Sequence, residues 1–302
     1  MVRTISERVL RKFVDRPFLL VNESVWNRLP SSVRMTRSIR LYGAFVHSVV
    51  QRRSDRRQHH GTFFLRNRPE LELMRTLVSQ RTEGAKLRIA VLACSNGAEV
   101  YSILWTIRSA RPDLNITVHA ADISSEILEI AKKGTYSLEA NGLTDSAFFE
   151  RMTEEEMQQM FDVEDGHARI KPWIREGVSF QVADATDPGL TELMGRHHIV
   201  VANRFLCHMT PPNAEKCLRN LAQLVEPGGY LFVSGVDLNI RTKVALDLNW
   251  TPVLDLVEEI HNGDFSLRRG WPLNWWGLEP FTTTRPDWRI RYASVFKLGD
   301  KA

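Results

Sequence analysis

Two hydrophobic periods alternate along the middle of this chain. From Ile89 to Cys94 the run IAVLAC is apolar throughout, the pattern of a strand buried on both faces of a parallel sheet. After Ser95-Asn96-Gly97 the period lengthens, with Val100, Ile103, Leu104 and Ile107 on one helical face. A second strand-like run, ITVHAA, follows and ends on Asp122. The expected unit is strand, tight turn, helix, strand, with Asn96 and Gly97 taking the positive φ of the turn. A right-handed crossover brings the turn and Asp122 to the same edge of the sheet, where ligands of such sheets bind.

The pattern continues on both sides. Residues 1–80 read as a helical region, with helices over Ile5–Phe13, Ser31–Gln51 and Pro69–Gln80 punctuated by Pro17 and Pro30. A helix over Ser124–Lys133 follows Asp122. Residues 134–177 then break the alternation as an inserted subdomain: TEEEMQQMF, with Thr153 and Glu156 placed as a capping box, and HARIKPWIREGVSF, read as short antiparallel strands. The pattern alone is consistent with a connector bracing the sheet edge. VSFQVAD to Asp184, HHIVVANRF through Asn203 and Arg204, a helix over Pro211–Val225 and YLFVSGV complete the core. A helix over Arg241–Asn262 and a strand over Trp288–Leu298 are expected in a Trp-rich segment, 241–302. The fold class is α/β, a mostly parallel sheet flanked by helices, with residues 86–302 as its domain.

The turn narrows the ligand. A dinucleotide fold uses G-x-G-x-x-G so that a pyrophosphate meets bare backbone, but Gly97 is the only glycine here and Glu99 follows it. A carboxylate there repels phosphate and suits an amino group, while Asp122 suits ribose hydroxyls. S-adenosylmethionine has a ribose, an ammonium and no phosphate. A nicotinamide-dependent oxidoreductase is disfavoured on the same ground.

These residues resemble the chemotaxis-receptor (CheR-type) methyltransferase family, whose loop runs approximately [AG]-C-S-[TS]-G-E-E-P-Y-S. Here it reads Ala93-Cys94-Ser95-Asn96-Gly97-Ala98-Glu99-Val100-Tyr101-Ser102. GTFFLRNRPELE is similar to the family's T-x-F-F-R segment, DISSEILEIAKKGTYS to its D-I-D-x-x-x-L-x-x-A-x-x-G-x-Y, and VEPGGYLFVSG to its L-x-P-G-G-x-L-F-x-G. The similarity covers about residues 40–235, and it implies that the insertion is a small β-subdomain, which some members use to grip a receptor's tail. It implies a class I, Rossmann-like methyltransferase fold with a seven-stranded sheet, and S-adenosyl-L-methionine as donor with S-adenosyl-L-homocysteine as product. By matching positions, Thr62 and Arg66 serve the methionine end, with Ala93 in the loop. Glu99 serves the ammonium, Asp122 the ribose and Asp184 the adenine amine, while Asn203 and Arg204 lie where donor and acceptor meet. Arg204 and His208 are the candidate catalytic residues. The family's N-x-[LM]-I-Y-F reads Asn203-Arg204-Phe205-Leu206-Cys207-His208 here, so Cys207 replaces its tyrosine. Gly235-Val236-Asp237 replaces its S-E pair, and His60 stands where many members have asparagine. The departures concern the acceptor side.

Charge sharpens the partner question. Residues 1–60 carry 13 Arg and Lys against 4 Asp and Glu, whereas the remainder carries 27 against 32. The basic stretch, including Arg52, Arg53, Arg56 and Arg57, is read either as a solvated face or as a docking surface for an acidic partner. Nucleic acid is disfavoured by the lack of a binding motif. Cys94, Cys207 and Cys217 have no metal-ligand spacing, and no run suits a signal peptide or membrane span, so a cytoplasmic protein without a bound metal is expected. Five of the eight tryptophans follow residue 249, and Trp271, Trp275 and Trp276 are read as core, as a lid, or as a substrate-pocket wall. The expected reaction is O-methylation of an anionic, carboxylate-bearing acceptor, a small molecule ahead of a receptor glutamate. The alternatives are a protein-glutamate methyltransferase and a donor-binding sensor without transfer.

Overall fold

The apolar run at Lys86–Leu92 forms β1, an interior strand of a seven-stranded sheet. The computed structural model describes residues 5–53, 56, 61–139 and 148–299. β2 (Asn115–Asp122) and β7 (His197–Asn203) flank β1 in parallel; β3 (Thr135–Ser137), β4 (Phe161–Glu164) and β5 (His167–Ile170) form a separate small sheet. With β6 (Val178–Val182), β8 (Val225–Ser234), β9 (Thr251–Pro252) and β10 (Val295–Lys297), the main sheet runs β6-β2-β1-β7-β8-β10-β9. The first five strands in this order are parallel; β10 runs antiparallel to both β8 and β9. Chain order reverses direction at β1, which opens a crevice beyond the carboxyl ends of β1, β2 and β7.

Period-two alternation sorts the strand side chains into two apolar layers. Ile89 and Val91 join Ile103, Leu104, Val118 and Val201 on one face, and Ala90 and Leu92 join Val200, Leu218, Leu221 and Phe296 on the other. Burial on both faces explains why these strands read as continuous apolar runs.

Chain contacts divide the protein into two units, Met1–Asp55 with Phe265–Phe281, and Arg56–Asp264 with Thr282–Ala302. The sequence reading put the first boundary between 80 and 86. In the smaller unit, Trp271 packs edge-on against Trp26 with ring centroids 5.3 Å apart. Gly43 permits this, since a Cβ there would lie 2.4 Å from the Trp271 ring. Leu20, Val21, Leu41 and Phe45 are exposed on the same unit.

Several element boundaries differ from the sequence reading. The first helix runs through Pro17 over Ile5–Arg28, and Ser31–Gln51 is two helices, Ser31–Arg34 and Arg37–Arg53. The expected helix over Arg241–Asn262 is Leu238–Asp247, then β9, then Val257–Asn262. Asn249 at φ 52° turns the chain out of the helix, and Pro252 has no N–H with which to continue one. Trp288–Tyr292 is helical and only Val295–Lys297 is strand. Of HARIKPWIREGVSF, His167–Ile170 pairs antiparallel in the small sheet, Pro172–Arg175 is a helical turn, and the end enters the main sheet as β6. The capping box is present, Glu156 N–H donating to Thr153 Oγ1 (3.2 Å) and Thr153 N–H to Glu156 Oε2 (2.8 Å). Phe161 and Tyr136 of the insertion pack on Phe64 at 5.1 and 5.2 Å, and Tyr136 Oη donates to Asn96 O at 2.8 Å. The insertion therefore braces the loop after β1.

Candidate functional site

The loop after β1 turns by a different device from the one expected. Ala93 (φ 52°), Ser95 (φ 48°) and Gly97 (φ 88°) take the left-handed conformation, while Asn96 does not. Asn96 is fully buried and its Oδ1 accepts the Ala98 N–H at 3.1 Å, at the start of the helix Ala98–Ala110. Two non-glycine residues in this conformation store strain of about 1–3 kcal/mol each, which the surrounding hydrogen bonds must offset. Asp122 supplies two of them: Oδ2 accepts Ser95 N–H at 2.9 Å and Oδ1 accepts Ser124 N–H at 3.0 Å. Its carboxylate locks both loops and still borders the crevice.

A cleft of about 310 Å³ lies at these strand ends. Thr62, Arg66, Ala93, Glu99, Asp122, Asp184, Asn203, Arg204 and His208 all line it, so the residues picked from the sequence converge on one space. Asp184 is exposed at the rim, where its Oδ1 accepts from Thr186 N–H and Oγ1, both at 2.8 Å.

The polar end of the cleft is a chain of buried groups. Ser234 Oγ donates to Asn203 Oδ1 at 2.7 Å, and Asn203 Nδ2 donates to Glu70 Oε1 at 2.7 Å and to Glu99 Oε1 at 2.8 Å. Burial, and secondly the neighbouring Glu99 charge, push the Glu70 carboxyl up to about 7. Burial also raises Glu99, with the Asn203 hydrogen bond opposing it. Arg204, at φ 64°, follows directly; Gly235 makes room, because a Cβ there would lie 2.5 Å from Arg204 Cα. Burial, and then the charge of Arg66, lower the Arg204 guanidinium to about 10.

Three guanidiniums converge on one carboxylate. Asp264, 1 % exposed, pairs with Arg66 Nε at 3.0 Å, with Arg151 Nη2 at 3.5 Å and with Arg204 Nη1. Arg151 also pairs with Glu150 at 3.9 Å, and Glu70 and Glu99 lie near enough to act on Arg204, so the cleft's cations and anions are interleaved.

Sequence reasoning missed Glu70, Arg151 and Asp264. Glu70 resembled an ordinary acid in the first turn of the helix Arg68–Ser79, and Asp264 resembled a loop residue after a helix end. Arg56 itself fits neither reading of the basic stretch, solvated face or docking surface: its guanidinium donates to Cys207 O (3.1 Å), Met209 O (2.8 Å) and Asp237 Oδ2 (2.9 Å), and its side chain is 7 % exposed. It braces the chain after β7 instead of facing a partner. Arg57 and His60 lie outside the described residues. Burial pushes the Cys207 thiol up to about 11, so it is protonated at neutral pH. Among the described residues no group of acids, histidines and cysteines is arranged to hold a metal ion, and no helix is long and apolar enough to cross a membrane.

Residues 60–243 match the family model of the CheR methyltransferase SAM-binding domain. The chemotaxis protein methyltransferase of Vibrio parahaemolyticus is 29% identical over 49% of this chain and 52% of its own length. A second, from Pseudomonas putida, is 30% identical over 50% and 54%. The probable biofilm formation methyltransferase WspC of Pseudomonas aeruginosa is 25% identical over 53% and 36%. The chain thus spans about half the length, or less, of these relatives. Among solved structures, the citrinin polyketide synthase CMeT domain is 16% identical, with a TM-score of 0.40 over 77% of this chain and 52% of that one. The family match spans most of the chain and takes in every strand from β1 to β8; the protein belongs to the CheR methyltransferase family, and residues 60–243 are its S-adenosylmethionine-binding domain.

Proposed function

We propose that this chain transfers a methyl group from S-adenosylmethionine to a carboxylate oxygen of an anionic acceptor. The observation that carries the reading is the set of buried acids and arginines gathered in one cleft at the strand ends. Two buried carboxyl groups, Glu70 and Glu99, meet at Asn203 Nδ2, and Arg66 and Arg204 meet at Asp264 as shared counter-ion. The donor's amino-acid end carries both an ammonium and a carboxylate, and the residues fit it: Glu70 Oε2 is buried with no partner, and the guanidiniums of Arg66 and Arg204 belong to residues lining the same cleft. Thr62 and Arg66 are assigned to the donor carboxylate, Asp122 to the ribose, and Asp184 to the adenine amine.

When bound, the donor supplies an electrophilic methyl on a good leaving group. The chain's own task is to align the acceptor and exclude water. A carboxylate with the usual pKa of about 4 is ionised at neutral pH and needs no base. Arg204, held beside Asn203 by Asp264, is assigned to the acceptor carboxylate. Cys207, where the family pattern has tyrosine, is protonated and so a poor competing nucleophile. His208 borders the same end as a neighbour of the acceptor. Two relatives are named as chemotaxis protein methyltransferases. A protein carboxylate is therefore the preferred acceptor.

The test is incubation with methyl-labelled donor and either a chemoreceptor cytoplasmic fragment or a metabolite extract. Label on the protein that is lost in mild base is expected, as for a methyl ester. Base-stable label would remove the carboxylate. Label confined to the small-molecule fraction would overturn the protein acceptor. Donor binding with no transfer to either would leave a sensor.

A further inference from the structure

We infer that Glu70 forms, together with Glu99, a two-carboxylate clamp for the ammonium of the donor, an inference that rests on the donor-binding reading above. Both acids stand in the first turns of their helices, Arg68–Ser79 and Ala98–Ala110, and both aim at Asn203. An amide has two N–H groups, and Asn203 spends one on each carboxylate. Its oxygen accepts from Ser234 Oγ at 2.7 Å, and both N–H groups are spent. Glu70 is 6 % exposed, lines the cleft, and has Oε2 buried without a partner.

Two buried anions sharing one neutral donor are unfavourable unless a cation joins them. The nearby guanidiniums of Arg204 and Arg241 act on Glu70 only at a distance: Arg204 pairs with Asp264, and Arg241 donates to Val233 O and Arg291 O, both at 2.9 Å. Neither donates to Glu70 Oε2, so a donor at that oxygen can arrive with the ligand. A primary ammonium, with three N–H donors, meets the open Glu70 oxygen and Glu99 together.

The groups facing Glu70 set its pH response. Burial and Glu99 raise its carboxyl to about 7, while Asn203, Arg204 and Arg241 oppose them. In ligand-free protein near pH 6 Glu70 is mostly protonated, and an ammonium ligand must first displace that proton.

Calorimetry on the full chain tests this with two ligands. S-adenosylhomocysteine carries the ammonium; 5′-methylthioadenosine keeps adenine, ribose and sulfur but lacks the amino-acid end. S-adenosylhomocysteine should bind about tenfold more weakly at pH 6 than at pH 8, while methylthioadenosine stays level. Glu70→Gln should weaken S-adenosylhomocysteine about tenfold or more at pH 8 and flatten its pH profile, leaving methylthioadenosine unchanged, as loss of a charge-assisted bond requires. Retained methylthioadenosine affinity also shows that the variant is folded. Wild-type affinity of the variant for S-adenosylhomocysteine at pH 8, or equal losses for both ligands, would overturn the clamp. Failure of the wild-type protein to bind S-adenosylhomocysteine at any pH would overturn the donor reading and the clamp with it.

Discussion

Replacing Glu70 by glutamine should stabilise the ligand-free protein at pH 8 while weakening its function. The Glu70 carboxyl rises from the ordinary 4.5 to about 7 on folding, chiefly through burial. A rise of that size corresponds to about 3 kcal/mol of unfavourable ionisation in the folded state. The sign follows from proton counts. Between pH 4.5 and 7 the folded chain holds a proton that the unfolded chain has released, so stability falls as pH rises through this window. Below 4.5 both states are protonated and the penalty is absent; above 7 it is complete. Glutamine keeps the acceptor for Asn203 but never ionises, and its amide nitrogen at the Oε2 position costs about 1 kcal/mol if left unpaired. The variant should thus gain about 2 kcal/mol over wild type at pH 8, and be equal or about 1 kcal/mol less stable at pH 4. Urea unfolding at the two pH values, followed by circular dichroism without ligand, measures the difference. A wild-type-minus-variant difference that does not move with pH would refute both the burial and the ionisation on which the reasoning depends. A ligand site that destabilises its own empty fold is the expected exchange of stability for function.

Two further outcomes follow from the same cleft. Asp122→Ala should weaken S-adenosylhomocysteine by about 1–3 kcal/mol in calorimetry, since it removes the proposed ribose partner and unlocks Ser95 and Ser124 N–H groups. Asp264→Ala should lower unfolding stability by about 3 kcal/mol, the low end for breaking a buried pair, because Arg66 and Arg151 are each 22 % exposed and can relax toward water; unchanged urea midpoints would mean the arginines find other partners.

The central unit was legible without coordinates because its determinants are local. Strands buried on both faces must be apolar throughout, helices packed on one face must repeat at 3.6, and a tight turn needs residues that tolerate it. From Ile89 to Asp122 each requirement falls on consecutive residues, and a right-handed crossover does the rest. The nine residues picked from motif positions line one cleft for the same reason, since each stands at the end of a recognisable element.

Long-range pairing was not legible. Glu70 and Asn203 are 133 positions apart, and Arg66 and Asp264 are 198 apart, so no local pattern marks either pair. Arg56 read as one more cation in a basic run until the fold buried it against Cys207, Met209 and Asp237. The break at Asn249 turns on a backbone conformation that the apolar pattern from Arg241 to Asn262 does not encode. The sequence by itself determined the βαβ core, its cofactor edge and the family. Only the tertiary structure decided which charges are spent on one another and which remain for a ligand, because a charge's availability depends on partners that the folded chain alone brings near.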